Sequence, residues 1–434
     1  MIEPMGLPRD AVSVLFNLPG YRVVEAIEEV NDAGDRVRRV VVEAEDEEVG
    51  CPSCGVLSSR VHQWSAQRVR DIPVAGAVEV VWRKRRLVCA ESACARRTFT
   101  EHTDQVPVRA RTTGRLLEAV LAAVTGAGRA VSEVASAHGV SWWTVQAVVN
   151  AAAALHDQES LPVVRRLGID EHRYRSVRFF RDPASGAWRR YEPWMTTFVD
   201  LDTGRLLGLA DGRDSQGVRG WLAARPQSWR DQVQVVAIDP SAAFRKALRE
   251  QLPRAAVSVD AFHLVKLAGD MLTQVRQRLA QQTKGRRGRA IDASWAHRRL
   301  LLRAGDTLTK AGLARLRDTF RRDDPTDELG AAWGIKEQLR RLLKTASLDG
   351  AHTEKMRLGV LVTAADMPET DRLWNTVCAW WPEIEVPIVT GVTNARTEAA
   401  NTSIKHIKRT GRGFRNENHY RARILLASAA RSAA

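Results

Sequence analysis

The chain has 434 residues, 44% of them hydrophobic, and a formal net charge of +15 with a pI near 10.2. That length exceeds one ordinary domain, so two to four domains are expected. The positive excess favours a polyanionic partner. No run reaches the ~18 consecutive apolar residues of a membrane-spanning helix, which leaves nucleic acid as the favoured partner and a membrane as the disfavoured one.

The first stretch, MIEPMGLPRDAVSVLFNLPG, lacks a basic segment followed by a long apolar core, so no signal peptide and a cytoplasmic location are expected. YRVVEAIEEV and RVRRVVVEA, valine-rich and flanking NDAGD, predict a hairpin over 21–45. Four of the five cysteines follow, in CPSC (Cys51, Cys54) and CAESAC (Cys89, Cys94). Two close thiolate pairs supply the tetrahedral shell that Zn2+ prefers, and four thiolates leave no open position, so the site is structural rather than catalytic. The spacer holds strand-like runs such as VAGAVEVVWRKRRLVC, which predicts a zinc ribbon. Around it Arg83, Lys84, Arg85, Arg86, Arg96 and Arg97 either meet phosphates or form a solvated face. The fifth cysteine, Cys378, reads as a core residue.

Residues 113–155 carry Ala, Val and Leu at helical spacing. Within them, AVSEVASAHGVSWWTVQAVVNAAAAL fits a helix-turn-helix: Gly139 where the turn needs a positive φ, Ser141 to cap the second helix, and Val134, Val140, Val145 and Val148 for the core. The second helix would present Trp142, Trp143, Thr144, Gln146 and Asn150 to DNA. A plain helical hairpin is the competing reading.

From 166 to 280 the pattern is mixed α/β. RLGIDEHRY, YEPWMTTFVDL and GRLLGLADG predict three strands. SQGVRGWLAA, QVQVVAID, SAAFRKALREQL, AAVSVD and AFHLVKLAGDMLTQVRQRLAQ then alternate helix and strand, giving β-β-β-α-β-α-β-α. Residues 281–385 read as helical and arginine-rich, and one more helix follows PEIEVPIVTG. Asp170 is expected to end the first strand and Asp239 the fourth. If those strands are neighbours, the two carboxylates lie close together, and Glu398 on the last helix can complete an oxygen set for Mg2+ or Mn2+. Singly, each has a plainer role: Asp239 as a helix cap, Asp170 in an arginine pair. Asp260, with His263 one turn on, forms a D-x-x-H pair that supports the acids or replaces Asp239 as second ligand. On the last helix Asn394, Glu398, Asn401, Lys405 and Lys408 are expected on one face, with Ala400, Ile404 and Ile407 opposite, packed on the sheet. Glu398 would face the metals; Lys405, Lys408, Arg409 and Arg412 would hold DNA.

The order CPSC…CAESAC, helix-turn-helix, GIDEHRY, VVAIDPSAAFRKAL, VDAFHLVK and TNARTEAANTSIKHIKRTGRGFRN resembles bacterial insertion-sequence transposases of the DDE class, of the type written ISL-three. The resemblance runs from about residue 45 to 425 and departs from the family after Asp239, where Pro-Ser-Ala-Ala-Phe stands in place of a Met-Ser-x-x-Tyr pattern. It implies an RNase-H-like catalytic core interrupted by an all-α insertion, two divalent ions, and Asp170, Asp239 and Glu398 in the DDE positions. The expected domains are an N-terminal hairpin and zinc ribbon (1–105), a helix-turn-helix (106–160), the core's first part (161–265), the helical insertion (266–388) and the core's C-terminal helix with a basic tail (389–434). The expected activity is metal-dependent 3′-end cleavage and strand transfer on double-stranded DNA, both terminal inverted repeats and target, by a homodimer at the bacterial nucleoid. Arg286, Arg287 and Arg289 of the insertion would hold flanking DNA or a second subunit. A non-enzymatic DNA-binding regulator and a structure-specific nuclease are the rival functions.

Overall fold

A computed structural model describes residues 10–30, 34, 36–74, 76, 78–156 and 161–433. The chain divides into two compact units, residues 1–159 with 409–432, and residues 160–408. The turn NDAGD falls almost wholly outside the described residues.

In the first unit a short helix α1 (Ala11–Phe16) precedes the antiparallel strands β1 (Tyr21–Val30) and β2 (Arg36–Ala44), as the valine-rich runs predict. A small pair, β3 (Val49–Gly50) and β4 (Leu57–Ser58), holds the first knuckle. The long hairpin β5 (Val61–Val69) and β6 (Val78–Val88) fills the spacer between the cysteine pairs, and β7 (Thr98–Thr100) adds to β6. The sheet order is β1-β2-β6-β5, over a core containing Tyr21, Val42, Val80 and Trp82.

Three helices follow: α2 (Gly114–Thr125), α3 (Val131–Ala137) and α4 (Trp142–His156). Thr113 caps α2 through its hydroxyl, and Ser141 accepts from the Thr144 amide at the start of α4. Gly139 has φ +62°, the left-handed turn expected of it. Val134 and Val145 are fully buried with Leu116 and Val120; Val149 holds the position assigned to Val148, which is only partly buried.

The second unit is built on a five-stranded sheet of β8 (Arg166–Arg173), β11 (Trp194–Asp200), β12 (Leu206–Asp211), β13 (Val235–Ile238) and β14 (Ala256–Val259), in the order β12-β11-β8-β13-β14. The first and fourth core strands are thus neighbours, and they run parallel with Ile169 opposite Ile238. A second hairpin, β9 (Arg178–Arg181) with β10 (Trp188–Tyr191), is inserted between β8 and β11, which the sequence reading did not foresee. Helices α5 (Ser215–Ala223), α6 (Gln227–Arg230) and α7 (Ala242–Gln251) link the later strands. Helix α8 (Ala261–Lys284) starts at the sheet and leads into the all-helical segment. That segment comprises α9 (Ala293–Ala296), α10 (Arg298–Leu302), α11 (Lys310–Asp323), α12 (Glu328–Leu343), α13 (Leu348–Ala365), α14 (Pro368–Ala379) and α15 (Trp381–Thr390). One apolar core runs from the sheet into it, joining Ile169, Phe198 and Phe244 to Leu264, Leu339 and Val377. Cys378 is exposed, contrary to its reading as core, because the preceding Val377 occupies the inward position with Leu373.

Helix α16 (Ala395–Thr410) packs on the sheet, and a turn through Arg412 (φ +52°) and Gly413 (φ +88°) leads to α17 (Glu417–Ala433). The C-terminus therefore holds two helices where one was expected. The second belongs with the helix-turn-helix: Ala422 lies in the cluster of Leu116, Val134 and Val145, and Arg423 donates to the Arg129 carbonyl.

Candidate active site

Backbone packing decides where the acids meet. Strand β8 carries Gly168 where α16 crosses; a Cβ there would lie 2.0 Å from Thr397 Oγ1 and 2.7 Å from Leu201 Cδ2. The missing side chain lets the helix approach. Asn394 and Thr397 are fully buried and Asn401 nearly so, with Ile404 and Ile407 continuing the buried stripe. This corrects the predicted faces. Asn394 and Asn401 share the sheet-facing side with the two isoleucines, Asn394 donating to the Ile169 carbonyl at 3.4 Å. Asn401 donates to Asp170 Oδ2 at 2.6 Å and accepts from Thr197 Oγ1 at 2.9 Å. It is thereby buried against Asp170 and Thr197, not on the exposed face on which the sequence placed it. Lys408 donates to the Arg173 carbonyl at 2.9 Å, while Lys405 and Arg409 are exposed. Arg412 lies 3.7 Å from Glu133 within the first unit.

Since Ile169 and Ile238 are paired on parallel neighbours, the residues that follow them, Asp170 and Asp239, come side by side. Carboxylate oxygens of Asp170, Glu171 and Asp239 all lie within 4.8 Å of one another. Asp239, Asp260 and His263 form a second such group. His263 bridges the two aspartates, with Nε2 2.9 Å from Asp239 and Nδ1 2.9 Å from Asp260. Asp260 also caps α8 by accepting from the Phe262 amide. Glu398 is half-buried on the flank of α16 and belongs to neither group.

Glu171 is the acid that sequence reasoning passed over. Strand alternation assigns it to the pleat opposite Asp170, yet its carboxylate reaches the same cluster beside Asp239, where β13 ends. The quoted GIDEH contained the signal, two consecutive acids, although β8 runs on past them to Arg173 instead of ending at Asp170 as expected.

The electrostatics are those of crowded carboxylates. Burial, reinforced by the Asp239 charge, pushes Asp170 up to about 6. Burial and the charges of Asp170 and Asp239 push Glu171 up to about 7. The bonds to Asp239 and Asp260 raise His263 to about 10 and keep it charged at neutral pH. Asp239 Oδ1 and Glu171 Oε2 are buried without a hydrogen-bond partner among the described residues. Converging carboxylate oxygens, two of them unpartnered, suit a hard divalent cation.

The other metal centre is sulfur-based. The Sγ atoms of Cys51, Cys54, Cys89 and Cys94 lie within 4.8 Å of one another, with Cys54 and Cys89 3.6 Å apart. A tetrahedron with Zn–S bonds of about 2.3 Å has edges of about 3.8 Å, so the four thiols fit Zn2+. Gly55 (φ +75°) donates to the Cys51 carbonyl and closes the first knuckle. The surrounding cations are not equivalent. Arg85 has a side chain 12% exposed, bonded to Glu101 and to the Asp46 and Glu47 carbonyls. Arg83 pairs with Glu43 and lies over Trp64, Lys84 donates to Gln67, and Arg86 to Thr98.

On α4, Trp143 is 73% exposed and Asn150 is exposed. Thr144 is half-buried and shares a hydrogen bond with Ser141. Gln146 is buried and donates to Asn150, so it does not face outward. Trp142 packs edge-on against Trp143 and lies 5.6 Å from the His419 ring of α17. In the helical segment Arg286 pairs with Asp292, and the Arg287 carbonyl accepts from Arg276.

Comparison with known proteins agrees with this layout. A family model described as a transposase, of the ISL3 DDE type, matches residues 167–424. A zinc-finger model of the IS204/IS1001/IS1096/IS1165 transposases matches 47–94, and a helix-turn-helix model of transposase family ISL3 matches 101–153. The transposase for insertion sequence element IS1001 of Bordetella parapertussis is 25% identical over 435 residues, covering 97% of this chain and 98% of the relative. The transposase for insertion sequence element IS1557 of Mycobacterium tuberculosis is 24% identical over 317 residues, 66% of each chain. With a transposase model matched across more than half its length, and the zinc-finger and helix-turn-helix models matched in order before it, the chain belongs to the ISL3 family of insertion-sequence transposases.

Proposed function

We propose that this transposase binds the terminal inverted repeats of its own element and carries out 3′-end cleavage and strand transfer at the acids of β8 and β13. The observation that carries the reading is the parallel pairing of these strands, which sets Asp170 beside Asp239 with carboxylate oxygen left unpartnered. The sheet order, with two antiparallel strands on one side of β8 and two parallel strands on the other, supports an RNase-H-like core. The helical segment over 266–388 serves as its insertion, and the boundaries at 105, 160, 265 and 388 separate the functional domains.

Asp170, Asp239 and Glu398 would hold two Mg2+ or Mn2+ ions, with Glu171 as a fourth acid at the same place. Held by these residues, such ions would supply activation of a water or 3′-hydroxyl and charge stabilisation at the leaving oxygen. The chain's own contribution is placement. Asn401 fixes one Asp170 oxygen, and His263, charged and clamped by Asp260, fixes one Asp239 oxygen. The four-cysteine zinc ribbon and the helix-turn-helix hold the end sequence, with Trp143, Thr144, Asn150, Arg83, Lys84 and Arg86 toward DNA. Lys405, Arg409 and Arg412 add phosphate contacts. Bringing two ends together requires at least a dimer on DNA, at the nucleoid.

The test is incubation with labelled element-end DNA, a target plasmid and Mg2+ or Mn2+. Strand transfer by the wild type, abolished in Asp170→Asn, Asp239→Asn and Glu398→Gln while end binding persists, is the expected result. End binding with no cutting by the wild type would leave a DNA-binding regulator. Cutting that follows DNA shape instead of end sequence would leave a nuclease.

A further inference from the structure

The hairpin β9–β10 plays no part in the site described above, and its composition is unusual. RFFR is paired with WRRY, and all eight ladder residues are exposed. An isolated two-stranded hairpin is marginal in water, and one with four uncovered aromatic rings gains nothing from burying either face. The register sharpens the point. Arg178 faces Tyr191 and Phe180 faces Arg189 on one side; Phe179 faces Arg190 and Arg181 faces Trp188 on the other. Every cross-strand pair joins one aromatic ring to one arginine, and each face carries two of each. On one face Phe180 and Tyr191 stand with ring centroids 6.1 Å apart. Asp182 and Glu192 pair with Arg189 and Arg190 at 2.6 Å, and these arginines face Phe180 and Phe179 across the ladder.

The position matters as much as the composition. The chain leaves β8 at Arg173, three residues or about 10 Å past Asp170, and re-enters the sheet at Trp194, paired with Arg173. The hairpin therefore rises from the same end of the sheet as the Asp170, Glu171 and Asp239 cluster. Duplex backbone alone would use the arginines and leave the rings idle. Unpaired nucleotides use both, the bases stacking on the rings and the phosphates meeting the guanidiniums.

The geometry points to the β9–β10 hairpin as a stacking platform for unpaired DNA nucleotides next to the carboxylate cluster. It deepens the transposase reading by naming what the core grips beside the cut, and it rests on that reading only for the origin of the unpaired strand. The platform itself can be tested without cleavage. Full-length wild type and the exposed-ring variant Phe179→Ala/Phe180→Ala/Trp188→Ala/Tyr191→Ala are titrated, in chelator and without divalent ion, with a fluorescent single-stranded oligo(dT) of about a dozen nucleotides, and separately with element-end duplex. Chelator is used at a level and for a time that leave the zinc in place, checked by zinc content. The expected result is a tenfold or greater loss of oligo(dT) affinity in the variant with duplex affinity unchanged. Iodouracil crosslinks from the oligonucleotide are expected to map to 179–191 in the wild type. Unchanged oligo(dT) affinity, or crosslinks confined to other segments, would overturn the proposal. If the variant loses duplex binding too, Trp188→Phe/Tyr191→Phe decides: retained oligo(dT) binding with aromatic replacements supports stacking, and its loss overturns it. Absence of metal-dependent cutting by the wild type would count against the catalytic reading alone.

Discussion

Replacing Gly168 with alanine probes the packing that assembles the site. The new Cβ would stand 2.0 Å from Thr397 Oγ1 and 2.7 Å from Leu201 Cδ2, where ordinary contact begins near 3.4 Å. Helix α16 must retreat by about 1 Å, since Thr397 is fully buried and has no room to turn away. Overpacking of this kind costs about 1–3 kcal/mol of stability. The effect on activity is larger. The same retreat stretches the Asn401–Asp170 bond from 2.6 Å to a length at which it no longer counts as a hydrogen bond, and it carries Glu398 with it. Misplacement of about 1 Å in a reacting constellation costs about 100-fold in rate. Urea denaturation of Gly168→Ala gives the first quantity, and single-turnover cleavage of element-end DNA the second. Thr397→Ala removes the oxygen that clashes, so the double variant should be less damaged than the sum of the singles, by about 1 kcal/mol or more of coupling. Wild-type stability and rate in Gly168→Ala, or strictly additive singles, would refute the packing argument.

Three further outcomes follow from the site's charges. Asp170 and Glu171 have folded-state values raised to about 6 and about 7 from 3.8 and 4.5, so the unfolded chain ionises first and metal-free protein loses stability as pH climbs from about 4 to 7. His263, raised to about 10 from 6.5, contributes stability that is fully present below about 6.5 and lost as pH rises toward 10. Mg2+ relieves the carboxylates, so its increment in Tm should be larger at pH 8 than at pH 5 in a thermal melt; equal increments would contradict the clustering. Arg85→Ala should cost about 3–5 kcal/mol, because it strands a buried Glu101, whereas Arg86→Ala should lower the salt slope of DNA binding with little effect on stability, as read by denaturation and by fluorescence anisotropy at several salt concentrations. Prolonged chelation should release one zinc per chain by metal analysis and abolish duplex binding together with the first unit's cooperative melting; full binding after zinc loss would show the ribbon to be dispensable.

What could be read before the structure follows a physical division. The cysteine pairs, Gly139 with Ser141, and the acids at strand ends are local signals: each residue type is demanded by a turn, a cap or a metal within a few positions of itself. The pairing of Asp170 with Asp239 needed one added assumption, that the first and fourth strands are neighbours, and the order β12-β11-β8-β13-β14 supplies it. The misreadings arise where a distant surface chooses the face. On α16, apolar spacing puts Ile404 and Ile407 against the sheet, but the room left at Gly168 and the bonds of Asn401 to Asp170 and Thr197 bring Asn394, Thr397 and Asn401 there too, which leaves Glu398 on the flank. On α4, Gln146 is turned inward by packing within its own unit, where α17 contributes Ala422, and no periodicity within residues 130–155 contains that helix. The β9–β10 hairpin escaped notice for the opposite reason: pattern recognition depends on one face being buried, and here neither is. Alternation of arginine with aromatic residues on two exposed faces carries no inward signal, since no described residue covers either face. The four rings left uncovered among the described residues are the physical ground for expecting an external partner, and the arginines beside them favour a polyanion whose parts can also stack.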